Sequence, residues 1–376
     1  MTVVFLARWY PHKYDPMFGL FVQRHAEAAA QFNDITALYV HPDEHARQTY
    51  EIERSTINQV DTIRVYYKKT GRISSVWRYF KACQKALQLA GKPDVIHVHV
   101  LTRMGVIAWI QHQWHGIPYM ITEHWSRYLP GNDYSGSFRK FLTRLVVKNA
   151  SMVTTVTECL GKAMQSHGLE NPNYRILPNV VDFNLFKPIA HHNEIPKIVH
   201  ISCFEDKSKN IAGLLQALTI LKDKGVPYQA VLIGEGMDFD AMKAFAETLG
   251  LQNHVRFTGL LQSQELVEEL ATGDLFVLSS NYETAGVVLV EALACGLPLV
   301  ATRVGGVPEI VNESNGLLVA PNDTQALAEA LETLCRTYTN YDPETLRKQV
   351  IGKYSYQQVG KTLNQQYQWI VSLHSR

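Results

Sequence analysis

Short apolar runs rich in β-branched residues recur along this chain, each closed by polar or turn-forming positions. Val3 to Ala7, Ile35 to Val40, Ile63 to Tyr67, Val95 to Val100, Tyr119 to Thr122 and Met152 to Val156 read as buried strands. Apolar residues at helical spacing fill the intervals, at Val76 to Ala90, Met104 to His115, Phe138 to Asn149 and Leu160 to His167, and an earlier helix runs through Glu27 and Ala30. This alternation predicts an α/β fold with a parallel, doubly wound sheet. Pro172, Pro178, Pro188 and Pro196, with the polar run His191-His192-Asn193-Glu194, mark a joint and linker. A second α/β series follows, with strands at Ile198 to Ser202, Gln229 to Ile233 and Val255 to Gly259, and a helix from Ile211. Asn322 or Asp323 caps a helix from Thr324, and Tyr354 to Leu373 reads as a final polar amphipathic helix.

The most informative stretch is Asp274 to Thr302. An apolar strand, Leu275 to Leu278, gives way to a polar turn at Ser279, Ser280 and Asn281. Glu283 and Gly286 then precede a helix carrying Val287, Val288, Val290, Leu293 and Ala294, and Cys295, Gly296 and Pro298 end it. Such a turn faces the crevice at the carboxyl end of a parallel sheet, where a helix N-terminus offers unpaired N–H groups to an anion. Gly286 permits close approach to the backbone. Glu291 sits among apolar residues, and a buried carboxylate is costly unless something donates to it. Vicinal hydroxyls of a ribose or sugar would serve.

Glu283 and Glu291 are separated by seven residues, and Ala294-Cys295-Gly296-Leu297-Pro298 and Gly305-Gly306-Val307-Pro308-Glu309 follow. This string resembles the E-x7-E region of the retaining GT-B glycosyltransferases of family-4 type, the glycosyl transferases group 1. The resemblance implies two Rossmann-like doubly wound domains facing across a cleft: an acceptor-side domain over 1–184, a nucleotide-sugar donor domain over 185–353, and a helix over 354–376 returning to the first. It implies transfer of a sugar from a nucleotide-diphosphate sugar to an acceptor hydroxyl with retention, in polysaccharide or glycoconjugate synthesis. No metal and no cofactor beyond the donor substrate are expected. Glu283 would contact the donor sugar, Glu291 the ribose, and Gly286 and Val287 the phosphates. By the same resemblance His124, after the strand Tyr119 to Thr122, would meet the far edge of the sugar, and Gly19 would lie near the donor phosphate. Gly234 would open a G-x-G turn toward the nucleotide. The family carries an arginine and a lysine in the loop after the first strand of the second domain; here Lys209 matches the lysine, and Lys207 is the loop's other cation. The acceptor is left open among a glycan, a lipid-linked group and a small molecule. Two alternatives are a nucleotide-sugar 2-epimerase on the same architecture and a non-catalytic nucleotide-sugar-binding subunit.

Other motifs carry blander readings. His97 and His99 fall on one face of a strand, an H-x-H pair with no third ligand evident at metal spacing, so they read as strand-end residues satisfied by neighbours. Asp238-Phe239-Asp240 is a formal D-x-D, but it opens a helix, where acids cap the N-terminus. His191 and His192 read as solvated. Over Ser137 to Asn149, Arg139, Lys140, Arg144 and Lys148 alternate with Phe138, Phe141, Leu142, Leu145 and Val146 without any acid. That pattern fits a helix lying on a sheet and also peripheral contact with the inner face of a membrane.

Composition narrows the choice. The chain has 376 residues, enough for two cores. Its 36 basic and 35 acidic side chains nearly cancel, which removes the uniform field a nucleic-acid binder uses. The five cysteines are scattered without a C-x-x-C pair, which fits a reduced, cytoplasmic setting. The first ten residues hold too short an apolar run for a signal peptide. No uncharged apolar run approaches the roughly 18 residues that cross a bilayer.

Overall fold

A computed structural model describes residues 1–374 except Thr102 and Asp133, with the backbone alone of Arg72, Ile73 and Ser263. The chain divides into two compact units, Met1–Val180 with Tyr356–Arg376, and Val181–Ser355.

The first unit is built on β1 (Thr2–Ala7), β2 (Asp34–Asp43), β3 (Tyr50–Ile57), β4 (Val60–Lys68), β5 (Val95–His99), β6 (Tyr119–Glu123), β7 (Met152–Thr155) and β8 (Tyr174–Ile176). They lie in the order β3-β4-β2-β1-β5-β6-β7-β8. The helices are α1 (Leu20–Ala30), α2 (Arg72–Ala90), α3 (Arg103–His115), α4 (Ser137–Asn149) and α5 (Glu158–Ser166). The central strands β1, β5, β6 and β7 are buried along their length, as strands covered by helices on both faces must be. The strand order reverses between β1 and β5, so the carboxyl ends of these two strands flank the switch point where such sheets bind ligands.

Two strands depart from the expected pattern. β3 pairs antiparallel with β4 at the sheet edge, so the sheet is parallel except there. β8 falls within the segment read as a joint and extends the sheet from β7.

The second unit holds β9 (Lys197–Ile201), β10 (Gln229–Ile233), β11 (Val255–Gly259), β12 (Leu275–Leu278), β13 (Leu299–Thr302) and β14 (Gly316–Val319), all parallel, in the order β11-β10-β9-β12-β13-β14. Its helices are α6 (Asp206–Lys209), α7 (Ile211–Asp223), α8 (Phe239–Thr248), α9 (Ser263–Ala271), α10 (Val287–Ala294), α11 (Thr324–Thr337) and α12 (Pro343–Tyr354). Apolar cores form on both sheet faces, one around Phe276, Leu289 and Leu293 and the other around Leu214, Leu218 and Leu331. Asp323, not Asn322, caps α11 by accepting from Ala326 N–H.

The last helix, α13 (Tyr356–His374), belongs to the first unit. Val359, Leu363, Tyr367 and Ile370 enter its core beside α1. The Tyr356 hydroxyl donates to Glu27 at 2.8 Å.

The segment before β9 is less free than its polar composition suggests. His191 is not simply solvated: its Nε2 lies 3.3 Å from Asp274 Oδ1, and the other Asp274 oxygen accepts from Asn193 Nδ2 and Lys197 N–H. Asp274 just before β12 thus pins this segment to the second unit, because a buried carboxylate must find donors.

Candidate functional site

In the second unit the expected donor residues gather where β9, β12 and β13 end. The loop after β9 folds into the single turn of α6, which a period of 3.6 is too long to reveal in sequence. Asp206 accepts from Ala212 N–H at 2.8 Å and so holds α6 to α7, while its own N–H donates to Asp238 at 2.8 Å. Asp238 stands at the N-cap of α8 but makes no side-chain cap there. The D-x-D capping expectation is therefore corrected: Asp238 serves the neighbouring cation-bearing turn.

The turn after β12 is stitched to α6 by three hydrogen bonds. Ser279 Oγ donates to Lys209 carbonyl at 2.8 Å, Asn281 N–H to Ser208 carbonyl at 2.8 Å, and Asn281 Nδ2 to Lys207 carbonyl at 3.1 Å. These bonds bring Lys209 Nζ to 2.7 Å from Glu283 Oε2, with the two side chains 17% and 16% exposed. Burial works against the Lys209 charge, yet the Glu283 carboxylate outweighs it and holds the ammonium above its ordinary range, so it is charged at every physiological pH. Lys207 is exposed at the same turn.

The backbone is equally constrained. Gly286 is left-handed at φ 54° and starts α10, which carries no side-chain cap and no acid in its first turn. The N–H groups beginning at Val287 are therefore open to an anion. Glu291 is buried on this helix at 7% exposure. Gly234 ends β10 at φ 133°, where a Cβ would lie 1.9 Å from Ser202 carbonyl oxygen. Gly305, at φ 48°, would place a Cβ 1.7 Å from Glu283 carbonyl oxygen, so the loop after β13 can close on Glu283 only through glycine.

The first unit contains the other expected residues. Gly19 caps α1 in the left-handed region, and its Cβ would lie 2.4 Å from Trp9 backbone. Chain packing alone therefore requires glycine there. His124, after β6, is buried, with Nε2 3.1 Å from His99 Nδ1 and its ring against Phe21. His97 is satisfied by Tyr367 hydroxyl at 2.7 Å and Thr122 hydroxyl at 2.6 Å, as a strand-end histidine should be. His99 instead joins a different trio, because helix α1 brings His25 to His99 and His124, with ligand nitrogens within 4.8 Å of one another, and His97 stands outside it. Both His25 nitrogens face carbonyls, Phe21 at 2.8 Å and Pro178 at 3.0 Å. Burial drives the His25 pKa down to about 4 and those of His97, His99 and His124 well below the usual histidine range. The cluster is thus neutral at pH 7.

Sequence reasoning missed Glu123. It is fully buried at the end of β6 and accepts from Leu101, His124 and Trp125 N–H at 2.8, 2.8 and 2.9 Å. Burial raises its pKa against the lowering effect of these donors. One carboxylate thereby fixes the loops after β5 and β6. Beside it the backbone of Val100 is held at φ 67°, a costly conformation for a β-branched residue. These loops and α4 enclose a cavity of about 430 Å³ lined by Arg8, Arg103, Arg127, Arg139, Trp125 and Phe138, among others. The sequence signal was present: an arginine follows each of the adjacent strands β1, β5 and β6 within four residues. It becomes visible only once strand order is known.

Residues 182–353 match the family model described as glycosyl transferases group 1, and residues 23–180 match a glycosyl transferase 4-like domain. With two Rossmann-like sheets in hand, the chain belongs to the group 1 glycosyltransferases of GT-B fold. It is 30% identical over 251 residues to N-acetyl-alpha-D-glucosaminyl L-malate synthase of Bacillus anthracis, covering 63% of this chain and 64% of that one, so the match spans just under two thirds of the relative's length. Sucrose-phosphate synthase from Thermosynechococcus elongatus superposes with a TM-score of 0.81 at 19% identity, over 99% of this chain and 100% of that one. Anabaena Alr3699/HepE, solved in complex with UDP, superposes with a TM-score of 0.74 at 18% identity, over 98% and 100%. At these identities the structural likeness bears on fold. Among the described residues, no helix is long and apolar enough to cross a membrane.

Proposed function

We propose that this chain is a retaining, metal-independent glycosyltransferase that moves a sugar from a nucleotide-diphosphate sugar to an acceptor hydroxyl in glycan or glycoconjugate synthesis. The observation that carries the reading is the Lys209–Glu283 pair beside the uncapped start of α10, inside the segment that matches the family. Lys209 and the N–H groups from Val287 would receive the diphosphate, Glu291 the ribose and Glu283 the sugar. In the transfer the bond from the anomeric carbon to the diphosphate oxygen breaks, and the acceptor oxygen bonds to that carbon from the same face. The acceptor proton passes to the departing phosphate, and Lys209 stabilises the charge that develops there. A nucleotide diphosphate fits the UDP complex of the Anabaena neighbour, and glycoconjugate synthesis fits the named activity of the Bacillus anthracis relative.

The test is glycosyl transfer from UDP-, GDP- and ADP-sugars with and without EDTA. Turnover should survive chelation and be lost in Glu283→Ala while its circular dichroism shows the fold retained. A Glu283→Ala protein as active as the parent would sink the assignment. The absence of an arginine beside Lys209 favours one rival, a subunit that binds the nucleotide sugar without turnover. It predicts saturable donor binding and no product with any acceptor.

Phe138 and Phe141 stand 75% and 62% exposed on α4 among Arg139, Lys140, Arg144 and Lys148. This surface supports peripheral contact with an anionic, cytoplasmic membrane face. Co-sedimentation with anionic vesicles should fall in a Phe138→Ser/Phe141→Ser variant; equal binding by parent and variant would refute the contact.

A further inference from the structure

The geometry points to the arginine cavity of the first unit as a binding site for a phosphate or diphosphate group of the acceptor, an inference that rests on the transfer reading. Four guanidiniums, Arg8, Arg103, Arg127 and Arg139, line one cavity of about 430 Å³ whose wall contains no carboxylate. Among the described residues none of the four makes an ion pair. The buried Glu123 carboxylate acts electrostatically on Arg127, so one negative charge faces four positive ones; the excess like charges repel one another, and a bound anion converts that cost into attraction. Arginine is the side chain best shaped for the task, because its planar fork meets phosphate oxygens two at a time.

Three details indicate a built site. Arg8, Arg103 and Arg127 follow the carboxyl ends of β1, β5 and β6; β1 and β5 flank the switch point of the sheet, and β6 is the next strand. The buried Nε of Arg127 has no hydrogen-bond partner among the described residues, while its guanidinium stacks 3.5 Å from the Trp125 ring centroid. Arg139 and Phe138 sit in the first turn of α4, an uncapped helix start without an acid, whose dipole adds positive potential. Leu142 and Val146 continue the same wall as an apolar stripe. A ligand with an anionic group followed by an apolar or carbon-rich portion matches this division. Size agrees as well, since small-ligand pockets run from about 300 to 1,000 Å³.

The same chemistry occurs on a free phosphorylated molecule and on a lipid carrier, and the experiment separates them. Binding of inorganic pyrophosphate and of glucose 1-phosphate is measured by calorimetry at low salt. Binding to phosphatidylcholine vesicles is measured with and without farnesyl diphosphate. The proteins are the parent, Arg103→Gln/Arg139→Gln, whose two side chains are exposed so that the fold is retained, and Arg103→Lys. UDP, GDP and ADP binding is measured in parallel as the reading of the second unit. We expect at least tenfold weaker anion binding in the double variant, a smaller loss in Arg103→Lys, and unchanged nucleotide affinity. Binding of the soluble probes assigns a free phosphorylated acceptor. Binding only to farnesyl diphosphate vesicles assigns a lipid carrier. No binding by the parent in either arm, or equal binding by parent and double variant, overturns the site. Parallel loss of nucleotide affinity overturns the acceptor role by making the cavity part of donor binding. Arginine-dependent pyrophosphate binding by a parent that binds no nucleotide would instead overturn the transfer reading and, with it, the acceptor role.

Discussion

Acidification should unfold the first unit well before the second. His25, His97, His99 and His124 are 0, 0, 0 and 7% exposed, and burial keeps all four neutral, His25 down to a pKa of about 4. In the unfolded chain each titrates near 6.5. A depressed histidine pKa means the unfolded state binds more protons between the two values, so stability falls as pH drops through about 6.5 toward 4. From pH 7 to 5.5 the linkage amounts to about 1.3 kcal/mol per histidine, or about 5 kcal/mol for the four. The second unit has one such residue, His200, at a pKa of about 4, and should lose about 1.3 kcal/mol. Glu123, with its raised pKa, opposes the trend, but as one group against these four and the partly exposed His41, which burial also lowers to about 4. All six tryptophans lie in the first unit, so their fluorescence reports that unit alone. Its thermal midpoint should drop by about 10 to 20 °C over this interval, taking about 2 to 4 °C per kcal/mol. His41 of the first unit, also lowered to about 4, and His200 add to the four buried histidines, so calorimetry in buffers of different ionisation enthalpy should show about four to five protons taken up on complete unfolding at pH 5.5. A tryptophan-detected midpoint that moves by less than about 3 °C, or uptake of a single proton, would refute the reasoning.

Three further outcomes follow from single contacts. Lys209→Met strands the Glu283 carboxylate from a pair at 2.7 Å and about one-sixth exposed, and should cost about 2 to 3 kcal/mol in urea unfolding. Lys209→Met/Glu283→Gln should recover about 1 to 2 kcal/mol of that loss, and sugar transfer by Lys209→Met should fall by about a hundredfold or more. Additive stability effects would show that the pair is not coupled. Gly234→Ala places its methyl 1.9 Å from Ser202 carbonyl oxygen and should lose about 3 kcal/mol or more. Gly352→Ala, with open space on α12, should gain about 0.5 to 1 kcal/mol; matching effects in circular-dichroism melts would contradict both. Glu123→Ala leaves Leu101, His124 and Trp125 N–H groups without their acceptor and should cost about 3 to 5 kcal/mol. Glu123→Gln keeps one acceptor oxygen and should cost about half as much, so equal melting of the two variants would count against a carboxylate anchor.

Which parts of this structure could be read from sequence depended on how local their causes were. β1, β12 and β13 announce themselves because both faces are buried, so nearly every position is apolar, and β5 does so through its valines and isoleucine although His97 and His99 are buried in it. β3 did not, because its Glu51, Glu53 and Arg54 face solvent at an edge and only pairing with β4 makes it a strand. α6 is a single turn, set by Asp206 and Asp238 across the chain and not by its own periodicity. Glu283, Gly286 and Glu291 were legible through their spacing; the stitching by Ser279 and Asn281 was not, since its acceptors are backbone carbonyls of a distant loop. Glu123 was invisible for the same reason. Its significance lies in donors from two loops that only strand order brings together.

The two units also differ in how their cations are compensated, and this has an energetic consequence. Lys209 already has a counter-charge in Glu283, so an arriving diphosphate must share it, and the net gain at that point is smaller than the bare charge suggests. Donor affinity then has to come largely from α10 backbone N–H groups and from hydrogen bonds to the ribose through Glu291, which salt screens little. Among the described residues the four cavity arginines make no ion pair, and the Glu123 carboxylate acts electrostatically on Arg127, so most of the attraction for an anion there is uncompensated and, at the exposed Arg8, Arg103 and Arg139, open to screening. Raising ionic strength from about 0.05 to about 0.5 M should therefore weaken pyrophosphate binding to the first unit far more than nucleotide binding to the second. Equal salt sensitivity would mean that the near-neutral total of the chain, and not the local imbalance at the switch point, governs its ligands.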